Sequence, residues 1–191
     1  MPNHTEKLEY ILDNVNNWLK FAEAKNGTLL AINSAFLFGI IRIILTTKLE
    51  EEFSYCIAIC FLISITSVVF CLLSFLPKLK IFLPESLNSI SENNKLNSIY
   101  FGDISKLKNS KIYLEYLFQE NIIDNKLKND KFALDLANQI VVNSKIAKSK
   151  YKYFVISIMF TIIYVLLLLV LISIWTFDRK LLHELLSRTL F

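Results

Sequence analysis

The sequence predicts an all-α fold: a three-span helical membrane protein with a cytosolic helical domain. Three observations carry that prediction. Tyr153 to Phe177 runs for twenty-five residues without a charge, and seventeen of them are Leu, Ile, Val or Phe. As a helix this stretch would be about 37 Å long, enough to cross a hydrocarbon layer of roughly 30 Å. Two further apolar stretches, Thr28 to Thr47 and Phe53 to Leu76, are also long enough to span. The 191 residues include only three Gly and three Pro, too few breakers for a series of hairpins. The expected cytosolic domain is an amphipathic N-terminal helix plus a stalk helix continuing into the last span.

Residues 1–27 read as the cytosolic amphipathic helix. Between Thr5 and Lys25, Leu8, Ile11, Leu12, Val15, Trp18, Leu19 and Ala22 recur at steps of three and four and form one apolar stripe. Thr5 suits an N-cap, and Glu6 places a negative charge in the first turn, where the helix dipole favours it. Residues 28–76 read as a transmembrane helical hairpin. In its first span Ala31, Ala35 and Gly39 lie four apart, a ridge that lets another helix backbone come close. Arg42 lies about 21 Å along the helix from Thr28, within snorkelling reach of the far interface. A gating charge is the alternative reading of Arg42. Beyond a short acidic turn at residues 48–52, the second span carries Cys60, Ser64, Ser67, Cys71 and Ser74 at steps of four, three, four and three. Such a seven-residue repeat of small side chains marks a helix-packing stripe.

Pro77 and Pro84 end the hairpin and open a cytosolic helical segment, residues 77–152. Ile99 to Ile104 is a local apolar patch, and Ser110 is placed to cap a short helix bearing Ile112, Tyr113, Tyr116 and Leu117. Past the polar stretch near Asn125, Phe132, Leu136, Ile140, Ala147, Tyr151 and Phe154 keep helical spacing. One helix is therefore expected from about Asp130 to Phe177, with residues 153–177 as the third transmembrane helix. Its Leu-rich middle shows no stripe of small residues and is expected to face lipid. Residues 178–191 form a short amphipathic tail with Leu181, Leu182, Leu185, Leu186 and Leu190 at helical steps.

Charge sets the expected topology. Lys7, Lys20, Lys25 and the thirteen Lys of residues 77–152 place sixteen basic residues on one side of the membrane. Lys48, Arg179, Lys180 and Arg188 make four on the other. The positive-inside rule then puts the N-terminus and the long segment in the cytoplasm. The first twenty-seven residues carry four acids and no leading apolar run, so no cleavable signal peptide is expected.

Little in the chain suggests chemistry. It has no Gly-rich phosphate loop, no H-E-x-x-H and no nucleophile elbow, and its carboxylates are scattered among lysines. Cys56, Cys60 and Cys71 read as small membrane-buried residues, and His4 and His183 stand far apart, so neither metal nor cofactor is expected. The modest net charge of +4 says little for nucleic acid. The expectation is a non-enzyme that works by binding or assembly, with membrane lipids and further copies of itself as partners.

Three stretches carry a family resemblance. Trp18-Leu19-Lys20-Phe21-Ala22-Glu23-Ala24-Lys25-Asn26-Gly27-Thr28-Leu29-Leu30-Ala31 resembles the entry to the first span of the membrane effectors of bacterial Pycsar anti-phage defence. Tyr100-Phe101-Gly102-Asp103-Ile104 resembles that family's aromatic-Gly-Asp element. Asp135-Leu136-Ala137-Asn138-Gln139-Ile140, with Ser144, Ile146-Ala147 and Lys150-Tyr151, is similar to its stalk into the last span. Glu23 departs from the family, where Asp is expected more often. The resemblance implies an inner-membrane effector that responds to cyclic UMP or cyclic CMP made by a cognate cyclase, assembles or rearranges, and impairs the membrane in an abortive infection. A passive scaffold or anchoring subunit is the alternative function. A small transporter is disfavoured, because no internal repeat or broken span is evident.

If the implied ligand is a cyclic mononucleotide, its site needs a cation for the phosphate, hydrogen-bonding groups and an aromatic face. Trp18, Glu23, Lys25 and Asn26 supply a ring, an acceptor, a cation and an amide just before the first span. Tyr100, Asp103, Lys150 and Tyr151 join them if the stalk packs on the N-terminal helix. The structural alternative is that Trp18 belongs to the apolar stripe and Lys25 pairs with an acid or anchors at lipid headgroups.

Overall fold

The computed structural model describes residues 4–46, 51–76, 96–124, 127 and 130–189. Pro77, Pro84, Asn125, most of the acidic turn at 48–52 and the side chains of the tail lie outside what is described. Among the described residues five helices follow in order: α1 (His4–Thr46), α2 (Glu51–Phe75), α3 (Phe101–Ile104), α4 (Ser110–Gln119) and α5 (Lys131–Thr189). Among the described residues there is no strand.

The N-terminal helix and the first span are one uninterrupted helix, α1. Gly27 does not break it, because its φ stays out of the positive region. A helical Gly costs only about 1 kcal/mol relative to Ala, too little to interrupt a long helix anchored on both sides. Thr5 sits inside the first turn and does not precede it. In the same way the tail continues α5 as far as Thr189 and is no separate helix. Asp130 opens α5, its carboxylate accepting from the Ala133 amide at 3.2 Å.

The chain forms two compact units, Met1–Asn26 with Ser74–Phe154, and Gly27–Leu73 with Val155–Phe191. The first unit has a conventional apolar core. Leu8, Ile11 and Val15 of α1 meet Phe101 and Ile104 of α3, Tyr113, Leu114 and Leu117 of α4, and Leu136, Ile140 and Val141 of α5. Phe132 is 55% exposed, so α5 presents Ala133, Leu136, Ala137 and Ile140 inward instead. One position separates Phe132 from Ala133 in the sequence, and periodicity alone did not fix the helix phase so closely. Ile112 is likewise exposed. The α4 cap is Asn109, not Ser110: its side chain accepts from the Ile112 amide at 3.0 Å while its backbone stays extended. Asn121 closes α4 with a φ of 55°, the left-handed region that Asn tolerates better than most residues. Polar ties complete the unit: Asn143 donates to Asn16 at 2.8 Å, and the Tyr113 hydroxyl donates to the Ser98 carbonyl at 2.9 Å.

The second unit contains the three apolar segments. Within α1, α2 and α5 lie three stretches long and apolar enough to cross a membrane. Cys60, Ser64, Ser67 and Cys71 are all buried, so the α2 stripe packs within the protomer. Ala31, Ala35 and Gly39 are exposed, and α1 turns Leu29, Asn33 and Ile40 inward. The α2 ridge is therefore covered within the protomer, whereas the α1 ridge stays exposed, with Ala35 and Gly39 lining an open groove between the spans. The Leu-rich middle of the third span is exposed, as expected, with Leu166, Leu167 and Leu169 turned outward, but the helix ahead of it carries a buried stripe. Ser157, Thr161 and Tyr164, spaced four and three, are buried against the other two spans. Hydroxyl-bearing side chains, not Gly or Ala, carry this stripe. Arg42 is exposed rather than directed into the bundle.

Candidate functional site

The site grows from the loop before α3. The Asn97 side chain accepts from the amides of Ile99 and Tyr100, at 3.0 and 3.1 Å, and fixes the approach to the helix. The Asn97 amide in turn donates to the Asp103 carboxylate at 3.1 Å. Asp103 also pairs at 2.5 Å with Lys106, three residues on in the turn that follows α3. The hydrogen bond from Lys106 is the largest of several influences that hold the Asp103 carboxyl below its usual range. The carboxylate thus stays charged at neutral pH.

Gly102 explains why the aromatic and acidic residues can be so close. A Cβ at Gly102 would lie 2.4 Å from Cε1 and 2.8 Å from Cζ of Tyr100. Gly is therefore what lets the Tyr100 ring fold over the first turn of α3. Gly102→Ala is expected to swing the Tyr100 ring away while costing the unit little stability, since the clash is with the far end of one movable side chain. Chemical-shift changes around Tyr100, with a thermal midpoint nearly that of the unsubstituted protein, would check this.

The result is a hollow of about 500 Å³ lined by Trp18, Tyr100, Phe101, Gly102, Asp103, Lys106, Lys148 and Tyr151. Its floor is aromatic. Phe101 stacks on Tyr151 with ring centres 5.2 Å apart, and Trp18 lies 5.5 Å from Phe101 and 6.4 Å from Tyr151. Trp18 and Tyr100 remain 37% and 45% exposed, so part of this aromatic surface is open to a ligand. The Tyr151 hydroxyl is buried with no hydrogen-bond partner among the described residues. Burial, and then the neighbouring Tyr100, raise its pKa, which keeps it a donor at neutral pH. Lys148 is exposed at the rim. The hollow therefore combines flat rings, a carboxylate, a phenol and two ammonium groups, a set suited to a small planar ligand that carries an anionic group.

Four of the expected site residues line this hollow: Trp18, Tyr100, Asp103 and Tyr151. The other four form a bracket nearby. Lys150 is buried, pairs with Glu23 at 3.1 Å and donates to the Ser74 carbonyl at 3.1 Å. That bond satisfies a carbonyl in the last turn of α2, which helical bonding alone would leave open. Asn26 donates to the Ala22 carbonyl at 2.8 Å and to the Lys150 carbonyl at 3.4 Å. Lys25 lies over the rings of Phe21, Phe154 and Tyr151, at 4.4, 5.5 and 5.8 Å from their centres. Its ammonium group is engaged with aromatic faces, as cations commonly are. Phe101, Lys106 and Lys148 line the hollow without having been singled out from the sequence. Two spacings of three held the clue: Lys148 and Tyr151 share a face of α5, and Lys106 follows Asp103 across the turn that ends α3.

Fold and site together define an all-α, three-span membrane protein whose remaining residues build a separate helical unit with an aromatic, charged hollow. The Pycsar effector protein domain, PycTM, matches residues 7–177. The chain belongs to this family of anti-phage defence effectors. No curated protein and no solved structure matches the chain.

Proposed function

We propose that the protein is a non-enzymatic effector that binds a cyclic pyrimidine mononucleotide in the hollow of its first unit and responds by impairing the membrane. The hollow is the observation that carries this reading. A pyrimidine base is flat and stacks on exposed rings such as Trp18 and Tyr100, a contact typically worth about 1–3 kcal/mol. The phosphate meets Lys148, with Lys106 beside it, and the Asp103 carboxylate offers an acceptor for ribose and base. Family membership supports the defence role, and three apolar spans supply the means of acting on a bilayer. The test is dye release from vesicles holding the purified protein, with cyclic UMP and cyclic CMP added separately. Release with either supports the reading. Tight vesicles with both would favour a passive scaffold.

The same reading places the protein in the bacterial inner membrane with its first unit in the cytoplasm. The charge bias of sixteen basic residues against four supports that orientation. A reporter fused after Phe191 is then expected to be active only in the periplasm, and one inserted at Asn125 only in the cytoplasm. Reversed activities would invert the topology. Self-association completes the proposal, and the exposed Ala31, Ala35 and Gly39 ridge offers a second copy the closest approach.

A further inference from the structure

Six polar side chains are buried together in the second unit: Asn33 from α1, Ser67 and Cys71 from α2, and Ser157, Thr161 and Tyr164 from α5. Asn33 is the hub. Its amide nitrogen donates to Ser67 at 3.0 Å, and its oxygen accepts from Thr161 at 2.9 Å and from Tyr164 at 2.6 Å. Ser67 and Ser157 exchange hydroxyl-to-carbonyl bonds in both directions, each at 2.9 Å. The Cys71 sulfur lies 2.9 Å from the Ser157 hydroxyl. Every buried polar atom of this seam has a partner. Asn33 stands six residues beyond Gly27, about 9 Å along the helix, so the seam lies within the apolar segments and not at their ends.

Apolar side chains of similar size would join three spans without burying an amide and four hydroxyls in hydrocarbon. Polar groups at that depth are costly and tend to mark function. Closed, the seam satisfies itself. If the spans part, each of these groups must find water or a new partner, because lipid offers neither. Farther along the same spans the surroundings are different: a groove of about 610 Å³ between them is lined by Ile40, Ile57, Leu168 and other apolar side chains.

We infer that the seam is the lining of an aqueous path, kept shut in the resting protomer by its own hydrogen bonds and hydrated when the spans separate. Water and small hydrated solutes are what it would pass. The inference deepens the proposed membrane impairment and rests on it, because it names the residues through which the leak runs.

Cys71 provides the reporter. The test uses the full-length protein with Cys56→Ala and Cys60→Ala, leaving Cys71 as the sole thiol, in dye-loaded vesicles. The Cys71 thiolate attacks a charged methanethiosulfonate, forming a mixed disulfide and displacing methanesulfinate. Because that thiolate forms readily only in contact with water, a protected Cys71 is expected in the resting protein and a rise of at least about tenfold in modification rate on opening. Asn33→Leu removes the shared hub and is expected to give that rise, with dye release, in the absence of any nucleotide. Thr161→Val deletes one hydroxyl at nearly constant volume and gives the weaker form of the same result should Asn33→Leu fail to insert. Leu166→Ala, on the lipid-exposed face, changes neither readout. Dye release by a nucleotide with Cys71 still protected overturns the seam as lining while leaving the proposed function in place. Failure of both nucleotides to release dye counts against the proposed trigger. The seam variants then decide alone, and a protected Cys71 in tight vesicles for every variant that inserts overturns the inference.

Discussion

Lys148→Ala is expected to weaken binding of cyclic UMP and cyclic CMP by about ten- to a hundredfold, because a hydrogen bond to a charged group is typically worth about 1.5–3 kcal/mol. Lys148 and Lys106 are both exposed cations of the hollow, but Lys106 already pairs with Asp103. Lys25→Ala provides the contrast. That ammonium group does not line the hollow and is engaged with the rings of Phe21, Phe154 and Tyr151, so its loss is expected to leave affinity nearly unchanged. Calorimetry on the detergent-solubilised variants reads both. A large loss with Lys25→Ala and none with Lys148→Ala would move the phosphate to the bracket around Glu23 and Lys150 and empty the hollow of its proposed role.

Gly39→Leu is expected to abolish self-association while leaving the protomer as stable as before. A Cβ at Gly39 meets nothing within 4 Å, so the protomer itself has room for a larger side chain. A second helix packed on the ridge does not, since small residues are what allow two backbones to approach in a membrane. Cys60→Leu makes the opposite prediction. Cys60 is 1% exposed in its own bundle, and overpacking there is expected to destabilise the protomer by about 1–3 kcal/mol. Cross-linking together with thermal unfolding in detergent separates the two. An unchanged oligomer with Gly39→Leu would mean that copies meet through another face.

The spans and the amphipathic faces were legible in the sequence because both rest on one-dimensional properties. Length and hydropathy suffice to mark Tyr153 to Phe177, and steps of three and four mark Leu8, Ile11 and Val15. The aromatic-Gly-Asp run and the stalk pattern carried the family as well. Phase was less legible. Phe132 and Ala133 differ by one position, or about 100° around the helix, and only packing against α1 and α4 decides which of them is buried.

Partnership belonged to the tertiary structure altogether. Both small-residue ridges have the same spacing logic, yet one is buried inside the protomer and the other is left exposed along an open groove, because Asn33 draws α1 round to face Ser67, Thr161 and Tyr164. The three spans that hold this seam are separated by 34 to 131 positions, a distance over which no periodicity speaks. Lys25 and Lys148 are equally basic in the sequence. Folding lays one over aromatic faces and leaves the other at the rim of a hollow, and that difference is set by what each side chain meets in space, not by what stands beside it in the chain.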